Sequence, residues 1–395
     1  MMSRSVCMIA YANYYTDARI KNYVYSLLKA GYQVDVFALG KAEPAISGLN
    51  VFCLMSKVWS GSVLPYILSQ CWFLLLVMFR VGAAFLRQRY CFIHVHNMPN
   101  FIVFGALIPK IFGGKVILDV HDTMPEAYAT KFDLPLDHVL VKMLRFEEHV
   151  SAAFADHIIT TNDLHKEALV EHGIPANKIS IIMNMGNDDI FHPQFSAITS
   201  AGLVLAYHGT VAERLGLDLI LDAIRLARPE CPQLQFILIG DGDYMPTVRN
   251  LIEEYHLNDI VSLEGWVPVE ELPRYLSKTQ VGIIGNRLST ETKKNWMLPV
   301  KMLEYAAMEI PTIAPALRVI MHYFDNDSAI YYIPDDAEDM AHCIIDIYRH
   351  PEKIQVAKSH LRNFNRQYNW GVMESRYLNI IDNLQSIKTK FEQEL

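Results

Sequence analysis

The chain has 395 residues, and at roughly 100–200 residues per domain this length predicts two domains. Hydrophobic residues make up 51% of the sequence and charged residues 20%, so the chain can bury a large core and global disorder is excluded. The net charge is -8 and no long basic run is present, which argues against nucleic acid as a partner.

Short β-branched runs alternate with amphipathic helical stretches along the chain, the pattern of parallel sheets covered by crossover helices. The first half is predicted to contain strands at residues 6–11, 33–38, 92–96, 116–120 and 157–161. A helix over 163–173 is followed by ISIIMNMGNDDIFHPQFSAITSAG, where a strand gives way to polar residues, proline and glycine with little periodicity. We place the domain boundary in this stretch, between residues 195 and 196.

A second series of strands is predicted at residues 203–207, 235–239, 261–263, 281–284, 312–314 and 329–332. The fold class is therefore α/β, with two Rossmann-like domains at 1–195 and 196–369. Segment 370–395 carries apolar residues at helical spacing and is expected to pack back on the body of the protein.

One stretch in the first half raises the question of a membrane. Residues 58–79 carry no charge, and the sequence continues into an expected helix with Arg80, Arg87 and Arg89 near its end. This pattern fits a buried helix of the first domain or a monotopic helix in the inner leaflet, and it fits a true span less well.

The N-terminus lacks the pattern of a secretory signal, and the six scattered cysteines form no C-x-x-C pair. These features predict that the protein is located in the reducing cytoplasm and has no structural zinc site.

Four ionisable residues lie at and beyond the end of the predicted strand 116–120, in the sequence KVILDVHDTMPE. They are Asp119, His121, Asp122 and Glu126. Ligands of open α/β sheets bind at the carboxyl ends of the strands, so this cluster could supply an acid, a base or hydroxyl-binding groups. Alternatively, Asp122 or Thr123 caps the following segment and His121 only hydrogen-bonds the loop.

A second candidate is the strand, turn and helix of LVLAYHGTVAERLGLDLILDAI. Gly209 and Thr210 form the turn, and Arg214 precedes the helix. Free N–H groups at a helix start, a glycine that permits close approach and an arginine suit a diphosphate. The alternative is an ordinary exposed cap formed by Glu213 and Arg214.

A third candidate lies on the predicted helix 300–308, which carries Lys301 and Glu304 three residues apart. A carboxylate at such a place can accept hydrogen bonds from the two vicinal hydroxyls of a ribose. The alternative is a surface ion pair that contributes little to stability.

Two patterns resemble metal sites. Asp241-Gly242-Asp243 spells the carboxylate pair of metal-dependent sugar transferases, but it follows a strand and is better interpreted as a glycine turn. His94 and His96 point to one side of a strand, and because no third ligand is nearby in the sequence, histidines of the core or of a cleft wall are favoured over zinc ligands.

Three common motifs are absent from the sequence: G-x-S-x-G, the phosphate-binding loop and G-x-G-x-x-G. The sequence therefore gives no support for a serine hydrolase, a phosphate-binding-loop enzyme or a common NAD dehydrogenase.

Taken in order, several stretches resemble the family-4 retaining glycosyltransferases of bacterial polysaccharide assembly. They are VHNMPNFIVFGALIP, VILDVHDTMPE, ADHIITTND, IIMNMGNDDIF, YHGTVAERLGLDLILDAI, FILIGDGD and LPVKMLEYAAMEIPTIAP. The resemblance implies the GT-B fold, two Rossmann-like domains facing across a cleft, with the helix after Asn369-Trp370 returning to the first domain.

For the donor side, the resemblance implies that Glu304 binds the ribose of a nucleotide sugar. The residues expected to bind the rest of the donor are Gly209, Thr210, Arg214, Gly240, Asp241 and Lys301. Arg214 would also act in catalysis by stabilising the leaving diphosphate. No metal and no other cofactor are expected.

For the acceptor side, the resemblance places His121 at the reacting centre. Asp122 is expected to act beside it as a second catalytic residue, and Glu126 to bind the acceptor. Asp17 and Arg19 occupy the first strand-to-helix loop and are expected to contact the acceptor or a phosphate.

Two departures from the family pattern stand out. Many family members carry a second glutamate eight positions before the ribose-binding one. The corresponding position here is near Trp296, and Glu291 could take the role of that glutamate only in a longer loop. The usual Arg-Lys-Gly sequence is Arg214-Leu215-Gly216 here, so one positive charge of the family pattern is missing. Lys301 could replace that charge.

These features together predict transfer of a sugar from a nucleoside-diphosphate sugar to a hydroxyl of a lipid-linked or other saccharide acceptor. The enzyme would be cytoplasmic, peripheral at the inner face of the cell membrane. The alternatives are a nucleotide-sugar epimerase of the same fold, a non-catalytic GT-B scaffold subunit and, remotely, a dehydrogenase.

Overall fold

A computed structural model describes residues 4–41, 46–56, 63–132, 134–193, 202–288 and 297–393. The chain forms two compact units, one made of Met1–Met183 with Met373–Leu395 and the other of Asn184–Val372. The change of unit at Met183 lies inside the stretch where the sequence loses its periodicity.

The first unit is built on a seven-stranded parallel sheet with the order β3-β2-β1-β4-β5-β6-β7. Its strands are β1 Ser5–Asn13, β2 Gln33–Leu39, β3 Leu49–Met55, β4 Phe92–His96, β5 Lys115–Val120, β6 His157–Thr160 and β7 Ile179–Ile181. Its helices are α1 Ala18–Lys29, α2 Val63–Arg87, α3 Leu107–Ile111, α4 Met124–Lys131, α5 Val139–Phe154 and α6 Asp163–Glu171. A 3-10 helix, Asn100–Ala106, precedes α3.

The second unit is built on a six-stranded parallel sheet with the order β10-β9-β8-β11-β12-β13. Its strands are β8 Val204–His208, β9 Gln235–Ile239, β10 Val261–Gly265, β11 Val281–Ile283, β12 Thr312–Pro315 and β13 Ala329–Tyr332. Its helices are α7 Leu217–Ala227, α8 Met245–Glu254, α9 Leu272–Leu276, α10 Val300–Ala307, α11 Arg318–Tyr323, α12 Ala337–Arg349 and α13 Glu352–Gln367.

The central strands are apolar along almost their whole length because helices cover both faces of each sheet. All five residues of β4 and of β8 are buried, for example. All the strands predicted from such runs are present, which confirms the α/β class. The sequence pattern does not predict β3, because this edge strand is mostly only half-buried and lacks a continuous apolar run.

The last helix, α14 Trp370–Gln393, returns to the first unit as predicted. Its residue Tyr377 is fully buried, and the phenol lies 2.9 Å from Nδ1 of His94 on β4. The carboxylate of Glu374 on the same helix lies 3.4 Å from the ammonium group of Lys29. The helix thus covers the α1 side of the first sheet.

In each sheet the strand order reverses direction beside the first strand of the series: between β1 and β4, and between β8 and β11. Loops that leave the carboxyl ends of strands at such a switch point form the ligand sites of open α/β sheets. The predicted site residues Asp17 and Gly209 follow switch-point strands, β1 and β8, and His121 and Gly240 follow β5 and β9, one strand further along each sheet.

Candidate functional sites

In the second unit, two glycine turns bring the loops after β8 and β9 into direct contact. Gly209 has a φ of 106° and Gly240 a φ of 144°, values that side chains rarely adopt. A Cβ atom on Gly240 would lie 1.9 Å from the carbonyl oxygen of Gly209. Glycine is therefore required here because the two backbones touch.

The predicted ribose-binding residue Glu304 lies on α10 beside the end of β8. Its Oε2 atom is 2.7 Å from Nε2 of His208, the last residue of that strand. The His208 side chain is 4% exposed and that of Glu304 is 13% exposed, so the imidazole is enclosed while the carboxylate remains accessible. The ring of Tyr305 meets the imidazole edge to face at 4.6 Å between centroids. His208 therefore fixes the orientation of the Glu304 carboxylate.

Lys301, one turn before Glu304, is a buried cation. Its Nζ atom lies 3.7 Å from the centroid of the Tyr207 ring. Within the described parts of the chain this nitrogen has no hydrogen-bond partner. Burial, with a further contribution from the charge of Arg214, lowers the pKa of Lys301 to about 7 against the opposing effect of Glu304. A buried ammonium group without a partner is costly, and an anionic ligand would relieve that cost.

Lys301 also adjoins the first glycine turn. A Cβ atom on Gly209 would lie 3.8 Å from Nζ and from Cε of Lys301. The turn itself is held by the Tyr207 hydroxyl, which donates to the carbonyl oxygen of Thr210 at 2.6 Å. An unpaired cation, a tight glycine turn and an accessible carboxylate therefore surround the end of β8.

Arg214 lies in the short 3-10 turn Glu213–Leu215 that precedes α7, and it is exposed. Its side chain forms no ion pair within the described residues, whereas its charge acts on both Lys301 and Tyr207. The helix begins after Gly216, whose backbone is left-handed with a φ of 63°. The guanidinium thus remains available to a ligand.

The Asp241-Gly242-Asp243 segment forms a turn after β9. A side-chain oxygen of Asp241 accepts from the Gly242 amide at 2.8 Å, and the Asp241 carbonyl accepts from the Val211 amide at 3.0 Å. Both aspartates are exposed. Among the described residues, they do not join a cluster of potential metal ligands.

In the first unit, Arg19 and Asp119 form a buried ion pair. The Nε and Nη2 atoms of Arg19 donate to the two carboxylate oxygens of Asp119 at 2.8 and 2.7 Å, and Nη1 donates to the Ile182 carbonyl at 3.0 Å. The two side chains are 3% and 0% exposed. Burial alone would raise the pKa of Asp119, but Arg19 together with His121 holds it well below its usual range. Arg19 is therefore paired inside the unit, and its contact with an acceptor or phosphate stays a prediction.

Three histidines surround the same carboxylate. His96 Nδ1, His121 Nε2 and His94 Nε2 lie 3.2, 3.5 and 3.9 Å from Oδ2 of Asp119. His94, His96 and Asp119 thus form a buried group with the spacing of metal ligands. No third ligand is near the two histidines in the sequence, but the neighbouring strand β5 brings Asp119 to them. Both oxygens of Asp119 are nevertheless already bound to Arg19, so a cation would have to displace the guanidinium.

His121 follows β5 and is 22% exposed, so one edge of the ring is accessible. Burial lowers the pKa of His121 to about 4, with Arg19 and His96 acting in the same direction and Asp119 opposing them. The imidazole is therefore neutral at pH 7. Its backbone amide donates to Oδ1 of Asn97 at 2.9 Å, and the amide nitrogen of that side chain donates to the Asp122 carbonyl at 2.7 Å. Asp122 itself is exposed.

Glu126, predicted to bind an acceptor, is fully buried. Its carboxylate lies 3.2 Å from Arg145 and 3.4 Å from His172. Burial would raise the pKa of Glu126, but His172 and Arg145 lower it. The same histidine lies 2.6 Å from Glu148. Glu126 therefore joins α4, α5 and α6 inside the unit, and its side chain is not placed where an acceptor could reach it.

Asp17 is the N-cap of α1, and its Oδ1 atom accepts from the Ile20 amide at 3.0 Å. The side chain is half-buried, so its other oxygen can meet a ligand. Trp296 and Glu291, the positions at which the sequence departs from the family pattern, lie outside the described residues.

Two further site residues, His208 and Asn97, are not predicted by the sequence pattern. His208 immediately precedes the Gly209 turn, and a polar residue that ends an otherwise apolar strand could have marked it. Asn97 similarly follows His96 at the end of β4, but its partners come from the loop after β5 and depend on strand order.

Two family models match the chain. The one described as Glycosyltransferase Family 4 covers residues 19–187, and the one described as Glycosyl transferases group 1 covers residues 202–350. The first match falls in the seven-stranded unit apart from its last residues, and the second falls in the six-stranded unit.

Related proteins are assigned to bacterial polysaccharide synthesis. The putative colanic acid biosynthesis glycosyltransferase WcaL of Escherichia coli K12 is 24% identical over 188 residues, which are 47% of this chain and 46% of that protein. The amylovoran biosynthesis glycosyltransferase AmsK of Erwinia amylovora is 22% identical over 185 residues, 47% of this chain and 45% of that protein. The chain thus matches about half the length of these relatives.

Solved structures share the fold along the whole chain. Sucrose-phosphate synthase from Thermosynechococcus elongatus has a TM-score of 0.79 at 17% identity, covering 97% of this chain and 100% of that chain. HepE of Anabaena, in complex with UDP and glucose, has a TM-score of 0.72 at 12% identity, covering 96% and 100%. These likenesses show the fold: the two parallel sheets are the Rossmann-like domains of the GT-B fold. The two family models, which together match most of the chain, show that it belongs to glycosyltransferase family 4.

Proposed function

We propose that this protein is a retaining glycosyltransferase of surface polysaccharide assembly. It transfers a sugar from a nucleoside-diphosphate sugar to a hydroxyl of a lipid-linked saccharide, without a metal ion. The observation that carries the proposal is the buried, unpartnered ammonium group of Lys301, next to the Gly209 turn and one helical turn from an accessible carboxylate. The family membership and the names of the relatives support the reaction class.

The donor binds to the second unit in this proposal. Glu304 accepts hydrogen bonds from the ribose hydroxyls, and His208 holds its carboxylate in place by occupying one oxygen. The diphosphate lies against the amides of the loops after β8 and β9, where Gly209, Thr210, Gly240 and Asp241 bring the backbone close.

Arg214 and Lys301 stabilise the leaving group. Charge develops on the diphosphate as the glycosidic bond breaks through an oxocarbenium-like state, and two cations beside it lower the barrier electrostatically. The acceptor hydroxyl attacks the anomeric carbon from the side of the leaving group, so the anomeric configuration is retained. The hydroxyl passes its proton to the departing phosphate oxygen. Lys301 supplies the second positive charge that the Arg214-Leu215-Gly216 sequence lacks.

The acceptor side is assigned to the first unit. His121 is neutral at pH 7 and can contact a sugar hydroxyl through its accessible edge. Asp122, which is exposed, and Asp17 orient the acceptor in this proposal. Arg19 and Glu126 are ion-paired inside the unit.

Substitution of Glu304 tests the donor assignment. Glu304→Gln should weaken binding of the matching nucleoside diphosphate by about 1–3 kcal/mol, the typical contribution of hydrogen bonds to a charged group. A thermal-shift screen of nucleoside diphosphates first selects the ligand, and calorimetry then measures its affinity. Glu309→Gln is the matched control, since that carboxylate pairs with Arg362 on the protein itself. Unchanged affinity in a folded Glu304→Gln protein would refute the assignment.

Donor turnover with and without a lipid-linked acceptor tests the reaction class. Transfer should persist in the presence of a chelator. Dependence on added manganese or magnesium would contradict the metal-free mechanism and implicate Asp241 and Asp243 as metal ligands. Conversion of the donor sugar without an acceptor would indicate an epimerase, and nucleotide binding without any turnover would indicate a scaffold subunit.

We further propose that the protein is cytoplasmic and peripheral to the inner face of the cell membrane. α2 is long and apolar enough to cross a membrane by length and composition. One relative, from Streptococcus pneumoniae, is named alpha-galactosylglucosyldiacylglycerol synthase and is 25% identical over 229 residues. A membrane location would bring the enzyme to a lipid-linked acceptor.

A further inference from the structure

α2 presents two different faces. Phe73, Val77 and Val81 point into the core of the first unit and are fully buried. On the opposite face, large apolar side chains between 48% and 77% exposed form one stripe along the helix: Leu68, Trp72, Leu75, Phe79 and Leu86. The inner face of α2 is part of the core, so the helix cannot cross a membrane while the unit is folded. It can contact a membrane only by lying along its surface.

α5 repeats this arrangement. Its exposed apolar residues are spaced four, three and four apart, which aligns them on one face: Val139, Met143, Phe146 and Val150. Phe146 is 72% exposed, close to the 77% of Phe79 on α2. The acidic residues of this helix do not interrupt the stripe, because Glu147 bonds to Ser151 and Asn100 while Glu148 is buried against His172.

The two stripes belong to the same side of the sheet. α2 and α5 both pack against the 3-10 helix Asn100–Ala106, and α3 continues from that helix. The end of α3 adds Ile111 and the following Phe112, which are 69% and 55% exposed. We call the exposed apolar side chains of α2, α3 and α5, with Phe112, the apolar face.

Positive side chains accompany this face. Arg80, Arg87 and Lys142 are exposed, and no carboxylate of the described residues lies within ion-pairing distance of them. Arg89 lies over the rings of Phe85 and Phe112. Besides Glu147 and Glu148, an exposed aspartate, Asp137, precedes the helix. A membrane with anionic headgroups complements an apolar face accompanied by cations, whereas a two-fold contact with a second copy would bring like charges together.

We propose that α2 and α5 together form the surface by which the protein lies on an anionic membrane leaflet. The inference deepens the peripheral location proposed above by adding α5, whose contribution the sequence pattern of residues 58–89 does not reveal. Apolar side chains of both helices enter the acyl boundary while Arg80, Arg87 and Lys142 meet lipid phosphates.

Vesicle flotation of three variants tests the two-helix surface. Glutamine preserves helix formation at exposed positions, so the α2 variant is Trp72→Gln, Leu75→Gln and Phe79→Gln. The α5 variant is Met143→Gln, Phe146→Gln and Val150→Gln. The control removes equally exposed apolar side chains from the second unit: Trp266→Gln, Met321→Gln and Ile333→Gln. Vesicles contain phosphatidylethanolamine with phosphatidylglycerol, or phosphatidylcholine alone.

We expect each helix variant to lower the affinity for anionic vesicles by at least about tenfold, and the control to leave it unchanged. Binding should fall in high salt and be weaker on phosphatidylcholine. Full binding by the α5 variant would overturn the two-helix surface. Absence of binding by the wild type, or a concentration-dependent dimer that only the helix variants abolish, would overturn the membrane as the occupant.

Nucleotide affinity and transfer to a soluble acceptor, measured on the same proteins, separate this inference from the proposed function. Both should be unchanged in the two helix variants, because none of the substituted residues belongs to the proposed donor or acceptor site. Vesicle binding without any transfer would contradict the enzyme assignment and leave the membrane surface standing.

Discussion

The two units contain contrasting groups of buried charges. In the first unit, the guanidinium of Arg19 meets both oxygens of Asp119, and both side chains are almost completely buried. In the second unit, the ammonium group of Lys301 is equally enclosed but has no hydrogen-bond partner within the described residues. A paired buried charge stabilises the fold only as long as both partners are present, whereas an unpaired one gains from binding a ligand. Burial alone therefore does not mark a binding site, and the missing partner does.

The first prediction concerns stability and has the largest expected effect. Arg19→Met should lower the free energy of unfolding of the first unit by about 3–5 kcal/mol, because it leaves Asp119 buried without its cation. Chemical denaturation measures the loss. Arg214→Ala is the control and should change stability little, since that arginine is exposed. Adding Asp119→Asn to Arg19→Met should recover part of the loss, and an Arg19→Met protein as stable as the wild type would show that the pair is not structural.

The second prediction concerns turnover. His121→Ala should reduce sugar transfer about 100-fold, in the range typical of a group at a reacting centre, and leave nucleotide affinity unchanged. His149→Ala, an exposed histidine on α5, serves as control. Steady-state kinetics with calorimetry distinguish the two effects, and near-normal transfer would show that His121 only supports its loop.

The third prediction concerns the positioning of Glu304. His208→Leu should weaken nucleoside diphosphate binding about tenfold, because it removes the hydrogen bond that fixes the carboxylate. His208→Gln places an amide near the position of Nε2 and should restore most of the affinity. If the two variants bind equally well, the histidine acts through packing against Tyr305 instead.

The fourth prediction has the smallest effect and concerns pH. Burial lowers the pKa of Lys301 to about 7 in the free protein, and a bound diphosphate favours the charged form, which raises that pKa again. The affinity for the nucleoside diphosphate should therefore be highest below pH 7. It should decrease as the pH rises through that value, by less than tenfold per pH unit. Calorimetry across this range should show the decrease in the wild type and a flatter profile in Lys301→Arg. Equal slopes in both proteins would mean that Lys301 does not meet the diphosphate.

The sequence by itself determined the fold class and every strand of the two sheets except β3. Apolar runs such as β4 and β8 are unambiguous because both faces of a central parallel strand are buried, and glycine turns after strands mark the loops that approach a ligand. It also identified Lys301 and Glu304 as neighbours, since a spacing of three places them on adjacent faces of one helix.

Only the tertiary structure decided which charged residues find partners in the protein. Arg19 and Asp119 are 100 residues apart in sequence, and Glu126 meets Arg145 and His172 from two other helices. His208 similarly reaches Glu304 across 96 residues. Such pairings depend on strand order and helix packing, which a local pattern does not contain. For the same reason the sequence identified α2 as apolar but did not show which of its faces is buried, or that α5 carries a second exposed apolar stripe.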